Sequence, residues 1–133
     1  MRLVKSSTST ELPVRELPDR SAEFSAQLVA WVQKNKEVLP LALQNRLLDE
    51  VISLFENTRD ILTTQNKRSY LNHVTAGRRA ARGIRNLLHL IEAAQLPLAA
   101  PFGDFRQENE LIQNTLNSLY HKAKQAVEGE VRE

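Results

Sequence analysis

From residue 70 to residue 91 the apolar positions are Tyr70, Val74, Gly77, Ala81, Ile84, Leu88 and Ile91, in alternating steps of four and three. That interval puts side chains on one face of a helix and scatters them over both faces of a strand. The seam is heptad-like, with Leu71 and Leu87 beside it, and a helix with one apolar seam must bury it against others. The spacing therefore predicts a third helix over residues 68–95 and asks for partners.

The partners are legible in the same way. Phe24, Leu28, Trp31, Val32 and Leu39 share a face and predict a first helix over residues 20–38, with Asp19 as a capping-type residue ahead of it. Leu47, Leu48, Val51, Leu54, Phe55, Thr58, Ile61 and Leu62 predict a second over residues 41–64, with Pro40 at the turn. Leu111, Ile112, Thr115, Leu119, Tyr120, Ala123 and Val127 predict a fourth from residue 104 into the 120s. Leu96, Pro97, Leu98, Pro101 and Gly103 interrupt the pattern as a longer connection. No segment alternates over a strand length, and no Asn-Gly or Asp-Gly hairpin signal occurs. The expected fold is all-α: an antiparallel, up-down four-helix bundle over residues 20–128. Residues 1–19, rich in Ser and Thr and holding Pro13 and Pro18, read as a disordered or extended tail, and residues 129–133 as a frayed end.

A chain of 133 residues suits one domain with one core. It has no cysteine, which excludes disulfides, thiolate zinc sites and cysteine nucleophiles. No apolar run approaches the length of a membrane span, and no apolar stretch follows Arg2 and Lys5 as a secretory signal would require. The expected address is the cytoplasm. Catalytic patterns are missing too. His73, His89 and His121 lack a Glu three residues before them, so the di-iron pattern of helical bundles is absent. There is no His-Glu-x-x-His, no phosphate-cradling glycine-rich loop and no nucleophile elbow. The expectation is a non-enzymatic protein without metal or cofactor.

Charge supplies the positive signal. Residues 1–60 hold eight basic and nine acidic side chains, and residues 92–133 hold four and seven. Residues 61–91 hold six basic ones and no acid. Within that stretch Arg78, Arg82, Arg85 and His89 step by four, three and four, forming one stripe on a helix. Arg79 flanks it, and Lys67 and Arg68 extend it at the helix entrance. Guanidinium groups bind phosphate oxygens as a two-pronged fork, which makes the stripe a candidate nucleic-acid or partner surface. The plainer alternative is a solvated face neutralised by Glu56 or Asp60 of the second helix. Aromatic residues make up only 5% of the chain, too few for a base-stacking, single-strand platform. Gly77 and Gly83 inside a helix cost about 1 kcal/mol each relative to alanine, which close helix approach would offset.

Three segments carry a family resemblance. The first holds Leu28, Trp31 and Val32, and the second runs from Leu43 through Arg46 and Phe55 to Glu56. The third holds Tyr70, His73, Gly77, Arg78, Arg79, Arg82, Gly83, Arg85 and His89. Together, over about residues 24–96, they resemble the small four-helix-bundle family that includes the accessory variability determinants of diversity-generating retroelements. Proteins encoded in intervening sequences of bacterial large-subunit ribosomal RNA genes belong to the same superfamily. The resemblance implies a homopentameric barrel that binds a reverse transcriptase and, through basic surfaces, its RNA template or DNA. It implies support of mutagenic complementary-DNA synthesis without catalysis, and it carries Arg78, Arg79, Arg82 and Arg85 over as binding residues. The chain departs from the family in a short first link (Val38, Leu39, Pro40, Leu41 and Ala42). Ser118, Leu119, Tyr120 and His121 stand where a Gly-Trp pair is usual, and the N-terminal tail is longer. Two other readings stand beside this one: a helical scaffold that binds only protein, and, ranked last, an anionic-membrane binder. Few aromatic residues remain to insert into a membrane.

Overall fold

The computed structural model describes residues 10–132, with side chains described through Gly129. A single turn of 3-10 helix (Val14–Glu16) leads into α1 (Leu17–Lys34), followed by α2 (Leu41–Ile61), α3 (Lys67–Ala93) and α4 (Phe102–Arg132). Each helix packs on the next in sequence, and α1 closes the ring against α4. This is the antiparallel four-helix bundle the periodicities ask for, and no strand occurs among the described residues.

The buried residues are largely the expected ones. Phe24, Leu28, Leu47, Leu54, Val74, Ala81, Ile84 and Ile112 are all at most 1% exposed, and Leu116 joins them from α4. The connection between α3 and α4 is pinned by aromatic packing. Trp31 meets Phe102 and Phe105 edge-on at 6.1 and 5.9 Å, and its indole N–H donates to the Ala99 carbonyl at 3.1 Å. That gives the polar end of a largely buried indole its partner. Arg20 of α1 grips Glu108 of α4 with two hydrogen bonds, at 2.9 and 2.8 Å. Hydrogen bonding to Glu108 holds the Arg20 pKa above its ordinary value, against the opposing effect of burial.

Two boundaries differ from expectation for physical reasons. The first helix begins at Leu17, with Pro18 in its first turn. A proline there costs nothing, because the N–H it lacks would have no helical acceptor anyway, so Pro18 opens the helix instead of breaking a tail. Residues 10–12 likewise lie against α4. The Leu12 N–H donates to Thr115 Oγ1 at 2.8 Å, Asn114 Nδ2 donates to the Thr10 carbonyl at 3.1 Å, and Ser118 Oγ donates to Glu11 at 2.7 Å. Leu12 is buried in the core. The tail expectation for residues 1–9 lies outside the described residues. At the other end α4 continues through Gly129 to Arg132.

The helices differ in length. At 1.5 Å per residue α1 is about 27 Å long and α4 about 46 Å, so α1 lines only one end of the bundle. The N-terminal segment continues its line down to the level of Thr115.

Candidate nucleic-acid interface

α3 presents Gly77, Ala80, Ala81, Ile84 and Leu88 to the core, which turns Arg79, Arg82, Arg85 and His89 to solvent. Among the described residues none of these four has a hydrogen-bond or ion-pair partner. They rise along the outer side of α3 with axial steps of about 4.5–6 Å.

Arg78 is placed differently. It is half-buried and folded onto α4: its Nε donates to Asn117 Oδ1 at 2.7 Å, and its guanidinium carbon lies 4.2 Å from the centroid of the Tyr120 ring. The even four-member stripe expected from spacing is therefore three solvent-facing groups and one cation braced against the neighbouring helix. Arg78 keeps terminal nitrogens with no partner among the described residues, so it adds a fixed cation to the edge of the surface.

Lys67 and Arg68 are exposed at the start of α3, about 15 Å along the axis from Arg78. Asn66 caps the helix by accepting from the Ser69 N–H at 2.9 Å. The first turn holds two cations and no acid, the reverse of what the helix dipole favours. Stability does not select such an arrangement. Across a shallow pocket of about 250 Å³ Lys67 faces Lys122 of α4, with Tyr70 and Ala123 between them. Burial raises the pKa of the Tyr70 phenol above its ordinary 10.0.

The residues that sequence reasoning missed are on α4: Asn117 and Tyr120, which hold Arg78, and Lys122 and Lys124. The Lys124 ammonium is 6.0 Å from the Tyr120 ring centroid. Their spacing along α4 gives no signal, since only the register between α3 and α4 brings them beside Arg78. That register is set in the core, where buried Asn109 donates to the Ala81 carbonyl at 2.9 Å.

Neither acid expected to neutralise the stripe is paired with an α3 arginine. Glu56 is exposed, and Asp60 faces His73 Nδ1 at 4.0 Å, more than one turn of α3 from the arginines. The acid that lies against the arginine-bearing stretch is Glu50, which Arg46 holds at 3.3 Å. Its carboxyl occupies the space left by the missing side chain of Gly83: a Cβ there would stand 2.7 Å from Glu50 Cδ. Gly83 thus marks a close approach of α2. Gly77 does not, because a Cβ there would meet Leu116 methyls at 3.6 Å, an ordinary contact.

No protein-family model matches the chain, and no curated protein matches it. A solved structure does match. A protein of unknown function from the S23 ribosomal protein family of Bacteroides thetaiotaomicron aligns with a TM-score of 0.70 over 81% of this chain and 97% of that one. The chain shares that protein's fold. At 15% identity the likeness extends to the small helical bundle and carries no site residue with it.

No helix among the described residues is long and apolar enough to cross a membrane.

Proposed function

We propose that the chain is a non-enzymatic accessory protein that binds the phosphate backbone of RNA or DNA through the outer side of α3. The observation that carries this reading is the set Arg79, Arg82 and Arg85: exposed, on one helix, and without an acidic partner among the described residues. A face kept merely soluble gains small pairing energies by interleaving Glu with Arg, and this one does not. Arg78, braced on Tyr120, supplies a further positioned cation, and Lys67 and Arg68 extend the charge along the helix at some cost to its N-terminus. The resemblance to the accessory variability determinants makes the finer reading a retroelement accessory, which holds a reverse transcriptase together with its nucleic acid.

Fluorescence anisotropy of labelled RNA and DNA over a salt series tests the first part. Phosphate contacts release counterions, so binding should weaken steeply as salt rises and disappear when Arg79, Arg82 and Arg85 are all changed to Glu. Equal binding by that variant, with unchanged helical circular dichroism, would remove the α3 surface from the account. Co-purification with a reverse transcriptase encoded beside the gene tests the second part.

A scaffold that binds only protein is the second reading. It is favoured by large apolar side chains left exposed on α2, Leu41 and Ile52 among them.

A further inference from the structure

One side of α4 is covered along only part of its length. Thr115, Ser118, Lys122 and Ala126 share that side, in steps of three, four and four. The chain leading into α1 lies on the first two: Thr115 accepts the Leu12 N–H, and Ser118 donates to Glu11. One turn beyond Ser118 the pocket of about 250 Å³ opens on the same side, lined by Lys122 and Ala126. Its other walls come from Tyr70 and Lys67 of α3, Ala123 of α4 and the link before α3, with no residue of α1 or of the segment ahead of it. Among the described residues neither lysine has an ion-pair partner, and the half-buried Tyr70 hydroxyl has no hydrogen-bond partner.

We propose that this pocket docks a short acidic segment of a partner protein, which sets one large apolar side chain against Tyr70, Ala123 and Ala126 and a carboxylate on Lys67 or Lys122. Residues 11 and 12 show what this side of α4 accepts. They are a non-helical stretch of chain in which Leu12 enters the core, its N–H is held by an α4 side chain, and the neighbouring acid Glu11 is held by another. One turn further along, the same side offers an apolar hollow again, and the groups beside it are now two cations and an unpaired phenol O–H. The apolar walls ask for a buried side chain, and the lysines and the phenol ask for acceptors. An acidic residue next to a large apolar one supplies both, and an apolar anchor in a pocket with a charged rim is the usual anatomy of a docked segment.

Other occupants match the chemistry less well. Residues 1–9 carry Arg2 and Lys5 and no acid, so the chain's own beginning would bring like charge to the two lysines. A whole small-molecule ligand needs more room, since such sites run to roughly 300–1,000 Å³. Nucleic acid binding through its phosphates gains nothing from apolar walls. Tyr70 stands nine residues from Arg79, on the opposite side of α3, so the pocket is turned away from that arginine, and this proposal stands or falls separately from nucleic-acid binding.

Random dodecapeptides displayed on phage and selected against the full chain supply the probe. Enriched peptides should carry Leu, Phe or Trp beside Asp or Glu, and a fluorescein-labelled copy should bind less tightly as salt rises. Ala126→Trp fills the pocket from an exposed position and should weaken that peptide at least about tenfold. It should leave helical circular dichroism and RNA binding unchanged. Lys122→Glu should weaken the peptide too, and Lys122→Arg should not. Enrichment of peptides without acidic residues, or of none, would overturn the proposal, as would peptide binding that Ala126→Trp leaves intact. RNA bound about tenfold more weakly by Ala126→Trp would give the pocket to nucleic acid instead. Peptide binding raised about tenfold by Leu3→Ser with Val4→Ser would give it to the chain's own first residues.

Discussion

The guanidinium of Arg78 stacks on Tyr120 at 4.2 Å while its Nε is held by Asn117, so two residues of α4 fix the direction of a cation carried by α3. An arginine held this way gives up less rotamer freedom on meeting a phosphate than its solvent-facing neighbours do. A double-mutant cycle of Arg78→Met and Tyr120→Leu should show a coupling of about 0.5–1 kcal/mol in urea unfolding, the range of a partly exposed cation–π pair. Tyr120→Leu alone should also weaken RNA binding several-fold. Zero coupling would reduce the stacking to coincidence.

Gly77 and Gly83 separate two reasons for a glycine inside a helix. At Gly77 a methyl group fits at ordinary contact distance, so Gly77→Ala should stabilise the protein by about 0.5–1 kcal/mol through helix propensity. At Gly83 the same methyl would collide with the Glu50 carboxyl, which must swing away from α3. Gly83→Ala should then gain clearly less in urea unfolding. It should also bind RNA more tightly at low salt, because an acid has been moved from the arginine surface. Equal stability gains for the two variants would contradict the close approach of Glu50.

The Thr115 hydroxyl both donates to the Leu111 carbonyl at 2.7 Å and accepts the Leu12 N–H. Thr115→Val keeps the shape and leaves that buried N–H without a partner, at a cost of about 1–3 kcal/mol if the segment stays in place. Release of residues 10–12 is the cheaper response. The variant should therefore show faster tryptic cleavage at exposed Arg15 and faster amide exchange there, with little change in the helices. Unchanged cleavage would mean that Leu12 alone holds the segment.

How much of this was legible in the sequence depends on whether a property belongs to one helix or to two. The seam from Tyr70 to Ile91 belongs to one helix, and its burial follows from spacing alone. The solvent exposure of Arg79, Arg82 and Arg85 follows in turn, as the far side of that seam. Arg78 sits at the edge of the stripe, and its fate depends on what α4 presents there. Asn117 and Tyr120 are set by helix register, which no spacing within α3 encodes. Leu62 shows the reverse error. Leu62 fits the α2 stripe but lies at the helix end beyond the reach of α1, and it stays half-exposed. Pro18 misled because a helix-opening proline and a loop proline look alike in sequence.

Tyr70 gives the protein a pH dependence of predictable sign. Burial disfavours the phenolate and raises the native pKa above 10.0, while in the unfolded chain the phenol ionises near its ordinary value. Below about pH 9 both states keep the proton, and Tyr70 contributes no slope. Between the unfolded and native values the unfolded chain has lost the proton and the native protein has not. The native state then binds more protons, so stability falls as pH rises. Urea midpoints from about pH 8 to pH 11 should therefore decline more for the wild type than for Tyr70→Phe, with the difference opening only above about pH 10. Parallel curves would mean that Tyr70 ionises in water, and that the pocket between Lys67 and Lys122 is open to it.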